Sequence, residues 1–252
     1  MRRAWPAGCQ TIAMQKDRST ISAVPPTPTF SRVAPREHAS FARGFTLTEM
    51  AVVLVIVGLL IGGMIMPMSA QQDIRYNTDT QKQLADISEA LIGFAAGKTK
   101  PYLPCPDTNG DGLENRTGSA CTLQEGDLPW ATLGLGRQDA WANSFRYRVA
   151  ATFSDSTTGF TLSSTGDIRV CEASACATVL ATGIPAVVLS LGKNGTATPT
   201  DADELKNKTY AAADPDFVQH TQTGGNAGFD DLVIWLPTSV LIHRMIATGR
   251  LP

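Results

Sequence analysis

The polarity pattern along the chain changes three times. Between Met50 and Met66 no residue is charged or strongly polar. Beyond Pro67 the pattern becomes periodic. Ile74, Gln81, Leu84, Ile87, Leu91 and Phe94 recur at spacings near three and four, with Asp79, Lys82, Asp86 and Glu89 between them. That spacing predicts an amphipathic helix with one apolar stripe. Gly97 is the expected stop, with Pro101 beyond it. From residue 145 the period shortens. Strand-like runs at 145–153, 159–164, 167–173, 176–182 and 186–192 are separated by short turns, and a last one follows at 231–237. Such spacing predicts antiparallel hairpins rather than βαβ units. Residues 101–143 read as a loop rich in punctuation, and 193–228 as a long polar surface loop. Thr238 is expected to cap a last helix, 239–248, ended by Gly249. The predicted fold class is α+β: a long N-terminal helix packed on a small antiparallel sheet.

The apolar run sits at the short limit for a membrane span, and Phe45 and Leu47 extend it upstream. A transmembrane segment is therefore expected at 45–66. A continuous helix over 45–97 would be about 80 Å long at 1.5 Å per residue. Pro67 removes one backbone donor and predicts a kink. An ordinary secretory signal is the competing reading, with Met68-Ser69-Ala70 as a poor cleavage site. Its apolar run is slightly long for that role, and Glu49 has no part in it.

Glu49 poses the sharper question. A charge inside a bilayer costs roughly 2.5–3.5 kcal/mol on insertion scales, and such groups are usually paired. Residues 44–74 contain no Lys, Arg or His. A cut between Gly44 and Phe45 would create an α-amine on Phe45. Within one helix that amine is badly placed for Glu49; on a neighbouring copy shifted along its axis it is well placed. The carboxylate then becomes an assembly device.

The stretch GFTLTEM (44–50), followed by an apolar helix, resembles the signal of type IV pilins and type II secretion pseudopilins. The resemblance implies removal of residues 1–44 by a prepilin peptidase, methylation of the new Phe45 amine, and a role in assembly for Glu49. The 44-residue leader is long for the family, and a start at Met14 is open. The resemblance also implies a helix over 45–97 and a pilin-like head over 98–252. DAWANSFRYRV (139–149) resembles a family segment in which Gly is usual where Ala142 stands. SLGKNG (190–195) and GGNAGFDDLVIW (224–235) resemble the late loop of major pseudopilins. In that family the counterparts of Asp230 and Asp231 help bind Ca2+, with backbone oxygens near Ser190 and Leu191.

Charge agrees with that topology. Residues 1–44 hold seven Lys/Arg and two acids; the remainder holds fourteen basic and twenty-one acidic residues. A basic front reads as a cytoplasmic flank, with the N-terminus inside and the head periplasmic. The acidic body argues against nucleic-acid binding. The implied partners are the peptidase, the inner membrane and other subunits of the filament.

Cysteine use fits an exported protein. Removal of residues 1–44 takes Cys9 with it and leaves four, which suggests the pairs Cys105–Cys121 and Cys171–Cys176. Zinc is the rival, but neither pair has C-x-x-C spacing and no His is near. A second Ca2+ candidate is DTNGDG (107–112), where Asp107, Asn109 and Asp111 offer oxygens at alternate positions. The twelfth position is Gly118 rather than Glu, and a plain Asx-rich turn is the alternative. Adjacent carboxylates at Asp230 and Asp231 repel unless a cation or donors lie close. No hydrolase, zinc-protease or dinucleotide motif occurs, so no enzyme is expected. A structural or assembly subunit is the leading expectation, of minor or specialised type given the large head. The alternative is a secreted, calcium-stabilised binding module or adhesin with an ordinary export signal.

Overall fold

The computed structural model describes residues 44–209, 214–223 and 228–252, with the side chains of 63–69 outside that description. The leader expected over 1–44 thus lies outside the described residues except for Gly44, and the kink expected at Pro67 lies outside the described side chains. The chain divides into two units, Met1–Val53 and Leu54–Pro252. In chain order the elements are α1 (Leu47–Ala96), β1 (Arg116–Thr117), β2 (Ala120–Cys121), β3 (Glu125–Asp127), α2 (Trp130–Leu133), β4 (Arg146–Val149), α3 (Ala151–Ser154), β5 (Ile168–Cys171), β6 (Val179–Ile184), β7 (Ala186–Ser190), α4 (Ala202–Lys208), β8 (Asp216–Val218), β9 (Leu232–Leu236) and α5 (Thr238–Ala247). The fold is α+β with several antiparallel sheets.

Thr46 and Glu49 start α1 together. The Glu49 N–H donates to Thr46 Oγ1 at 3.2 Å, and the Thr46 N–H points back to Glu49 Oε2 at 3.5 Å. This is a capping box, T-x-x-E, which satisfies donors that the first helical turn leaves open. Further along α1 one stripe is buried: Thr80, Leu84, Ile87, Leu91, Ile92 and Ala95. Ile74 and Gln81, both expected in that stripe, are exposed, and Thr80 takes the inward position instead. The stripe packs with Phe145, Tyr147, Val149, Ala186, Val188, Leu241 and Met245 in the larger core. Truncating a fully buried leucine such as Leu91 to alanine costs about 2–5 kcal/mol. Among the described residues no helix is long and apolar enough to cross a membrane.

Two sheets share the second core. One has the order β3-β4-β7-β9 and is antiparallel throughout. The other has the order β6-β5-β8. Strand β7 is buried along its whole length because alternate side chains enter different cores. Ala186 and Val188 join the α1 side, while Val187 and Leu189 meet Ile168, Val170, Ile184 and Phe217. A strand covered on both faces reads as a continuous apolar run, as 186–189 does.

Several sequence expectations are corrected. The 145–153 run stops being a strand at Val149 and turns into α3. Residues 159–164 form no strand. There the Thr161 N–H donates to Ser164 Oγ at 2.9 Å, a local hydroxyl contact that competes with sheet pairing. Strands β5 and β8 pair in parallel, unlike the hairpins expected. The 101–143 loop holds β1, β2, β3 and α2, and the 193–228 loop holds α4 and β8. Thr238 is the first residue of α5 rather than its cap; its hydroxyl donates to the Gly183 carbonyl at 2.8 Å. Both disulfides, Cys105–Cys121 and Cys171–Cys176, are formed. Closing the first loop is worth roughly 3 kcal/mol in a chain-entropy account.

Candidate metal centre

Three carboxylates, those of Glu204, Asp230 and Asp231, lie within 4.8 Å of one another. The pairing of β7 with β9 brings two of them into place. Ser190 is opposite Leu232, so the residues before β9 face those that leave β7. The N–H groups of Lys193 and Asn194 donate to Asp230 Oδ2 at 3.0 and 3.2 Å. This approach needs a glycine at 192. Its φ is +60°, and a Cβ there would fall 2.4 Å from Asp230 Oδ1.

The segment 139–143 fixes the β7 exit from behind. Asp139 accepts the N–H groups of Trp141 and Asn143 through Oδ1, and the Ser190 hydroxyl through Oδ2 at 2.5 Å. Asn143 Nδ2 donates to the Gly192 carbonyl at 2.5 Å. The turn places Ala142 at φ +68°, a left-handed conformation. That conformation explains why glycine suits the position.

Glu204 comes from α4. Asp201 caps this helix, accepting the N–H groups of Asp203 and Glu204. Glu204 and Asn207, three residues apart, therefore share one inward face. Glu204 Oε1 accepts from the Asp230 N–H at 3.1 Å and from Asn194 Nδ2 at 2.8 Å. Asn207 Nδ2 donates to Asp231 Oδ2 at 2.8 Å. Sequence reasoning placed both residues in a surface loop, and yet both are buried. The signal that finds them is Asp201 followed three positions later by Glu204, an N-cap pattern inside polar sequence.

The electrostatics of the trio are unfavourable as they stand. No ion pair reaches any of the three among the described residues. Burial, aided by the negative charges of Glu204 and Asp230, pushes the Asp231 carboxyl up to about 8; the Asn207 amide and Arg146 oppose it. Burial likewise pushes Asp230 up to about 6, with Glu204 adding to the rise. Asp230 Oδ1 is buried and has no hydrogen-bond partner among the described residues. An all-oxygen donor set, an excess of negative charge and an orphaned carboxylate oxygen fit a hard divalent cation such as Ca2+. The loop after Ser190 contributes N–H donors in the described contacts, where the resemblance implied backbone oxygens.

The other candidates are arranged differently. Both oxygens of Asp107 are spent on backbone: Oδ1 accepts from Asn109 and Gly110, Oδ2 from Gly112. Asp111 Oδ1 accepts the Leu113 N–H, and Asp111 Oδ2 accepts Asn109 Nδ2. Glu114 holds Cys105 N–H and Arg116 Nε. These are the contacts of an Asx-rich turn. Cys171, Cys176 and Asp216 also cluster, but sulfurs bonded to each other offer no thiolate to a metal. Gly44, Phe45 and Glu49 lie far along the chain from this centre, and Phe45 is 74% exposed. Glu49 makes no ion pair among the described residues.

Comparison of the chain with protein-family models, with curated proteins and with solved structures finds no match.

Proposed function

We propose that this chain is the precursor of a structural subunit of a type IV pilus or a type II secretion pseudopilus. Prepilin peptidase cuts after Gly44, Phe45 becomes the methylated start, and the head stands on the periplasmic side of the inner membrane. Subunits then join through their N-terminal helices, and Glu49 meets the Phe45 amine of the next copy. The protein acts by assembly rather than by catalysis.

The observation that carries this reading is the start of α1. Phe45, Leu47, Leu54 and Leu59 are each at least 70% exposed, in a stretch whose only charge is Glu49. An apolar surface of this kind calls for lipid or for other copies. The membrane part of the reading rests on the sequence run Met50–Met66. The capping box is compatible with it, because a 3.5 Å contact to one oxygen leaves the carboxylate's charge uncompensated.

In the head, Glu204, Asp230 and Asp231 would hold a divalent cation, Ca2+ by donor type. The bound ion supplies positive charge, and the chain's own residues do the rest. Asn207, Asn194 and the amides of Lys193 and Asn194 orient the three carboxylates, so that α4 and the start of β9 are held together.

Replacing Glu49 with alanine tests the assembly claim. Cleavage after Gly44 should persist while the protein disappears from the sheared filament fraction. Unchanged filaments would contradict the role given to Glu49.

A further inference from the structure

We propose that the Cys171–Cys176 bridge sets the affinity of the Glu204–Asp230–Asp231 centre for its divalent cation, so that the centre reaches full strength only after these thiols are oxidised. The inference rests on the cation reading above.

Two arms lead from the bridge to the carboxylates. The first runs through α4. The bridge closes the segment CEASAC, and the Cys176 N–H donates to the Ala173 carbonyl at 2.8 Å. Within that turn the Ser174 N–H donates to Asp203 Oδ1 at 2.7 Å. Asp203 sits in the first turn of α4, beside Glu204. Cys176 has a φ of +50°, a left-handed conformation that a residue with a β-carbon resists. The free chain does not favour this turn, and the covalent link holds it.

The second arm runs through β8. Cys171 pairs with Val218, and its carbonyl accepts the Gln219 N–H at 2.9 Å. Val218 is gripped at both backbone groups by the Asn207 amide, whose Nδ2 also donates to Asp231. His220 stacks on Phe229 at 4.0 Å between ring centres, one residue before Asp230, and faces Asp203 Oδ2 at 3.3 Å. Each carboxylate is thus a few contacts from the two cysteines.

Oxidation removes two protons and two electrons from the thiols of Cys171 and Cys176 and forms the S–S bond. A disulfide oxidant such as oxidised glutathione accepts them and leaves as two thiols. In the reduced chain the turn relaxes and Asp203 loses its donor. A cation must then order α4 itself, and that requirement lowers its apparent affinity. Linkage makes the effect reciprocal: the cation favours bridge formation by the same factor. A tenfold coupling moves the thiol–disulfide midpoint by about 30 mV.

The test uses the full-length chain in detergent and calcium alone, read by titration calorimetry. The unaltered oxidised chain should bind calcium, and the Cys171→Ser/Cys176→Ser chain should bind at least tenfold more weakly. Asp203→Ala, with the bridge verified by peptide mapping, should also weaken binding. Asp203→Asn, which keeps an acceptor for Ser174, should weaken it less. Equal affinity in the bridged and bridgeless chains overturns the inference and leaves the cation centre standing. Equal losses in the two Asp203 variants also overturn it, because charge rather than the hydrogen bond would be responsible. Absence of binding to the unaltered chain refutes the cation centre itself, and the inference with it. If the bridgeless chain fails to fold, the Asp203 pair decides.

Discussion

Asn207 Nδ2 lies 2.8 Å from Asp231 Oδ2 and 2.9 Å from the Val218 carbonyl oxygen, while Asn207 Oδ1 accepts the Val218 N–H at 2.8 Å. One buried amide therefore closes the edge of β8 and steadies the acid that leads into β9. The residue is wholly buried, and no apolar side chain has the donors and acceptor for the task. The polar segment that carries it is held chiefly by such contacts, so its order depends on the charge state of the carboxylates nearby.

The first prediction concerns pH. Asp231 ionises near 3.8 ordinarily and near 8 in the fold, and Asp230 near 6. Between those values the folded chain binds more protons than the unfolded one, so stability falls as pH rises. The contribution is complete below pH 4 and lost by about pH 8. Glu125, raised mainly by burial, acts in the same direction. Thermal unfolding with a chelator present should give a higher Tm at pH 5 than at pH 8. Calcium should raise Tm more at pH 8, where it replaces protons.

Asp231→Asn keeps the shape of the side chain and removes its charge. At pH 8 without calcium this variant should be more stable than the unaltered chain. It should also lose most of the stabilisation that calcium brings. A calcium shift of undiminished size would remove Asp231 from the centre.

Gly192→Ala sets a β-carbon 2.4 Å from Asp230 Oδ1 at a left-handed φ. The expected loss exceeds about 1 kcal/mol, because both the conformation and the space are wrong. Calcium binding should fall with it, measured by calorimetry on the folded fraction.

Ala142 makes the opposite case. It has a φ of +68°, which costs a residue with a β-carbon roughly 1–2 kcal/mol. Ala142→Gly should therefore stabilise the chain by about 1 kcal/mol, a rise of roughly 2–4 °C in Tm for a chain of this size. An unchanged or lower Tm would show that the turn is not strained there.

The sequence was most legible where burial is one-sided or total. The 84–91 stretch repeats every three or four residues because one helix face is covered, and β7 is unbroken because both its faces are. Ile74 departs from the expected stripe because periodicity marks a face without saying where its covering ends; it is 66% exposed. Glu204 and Asn207 were hidden for another reason. Their helix has seven residues, too few for a period to show, and its stability comes from capping and hydrogen bonds. Asp230 and Asp231 stand out in the sequence through the resemblance of 224–235 to the late loop of major pseudopilins, and Glu204, which lies beside them in the fold, comes from a distant segment with no such likeness. At 107–112 the two readings share one set of residues. The same oxygens that match a calcium loop also match backbone amides a few residues away, and composition does not distinguish the two.

The most direct measurement is the mass and sequence of the amino terminus of the protein isolated from its cells. The account predicts a chain that begins at N-methylated Phe45. A chain that begins at Gln71, or one that retains residues 1–44 in the assembled material, would contradict it.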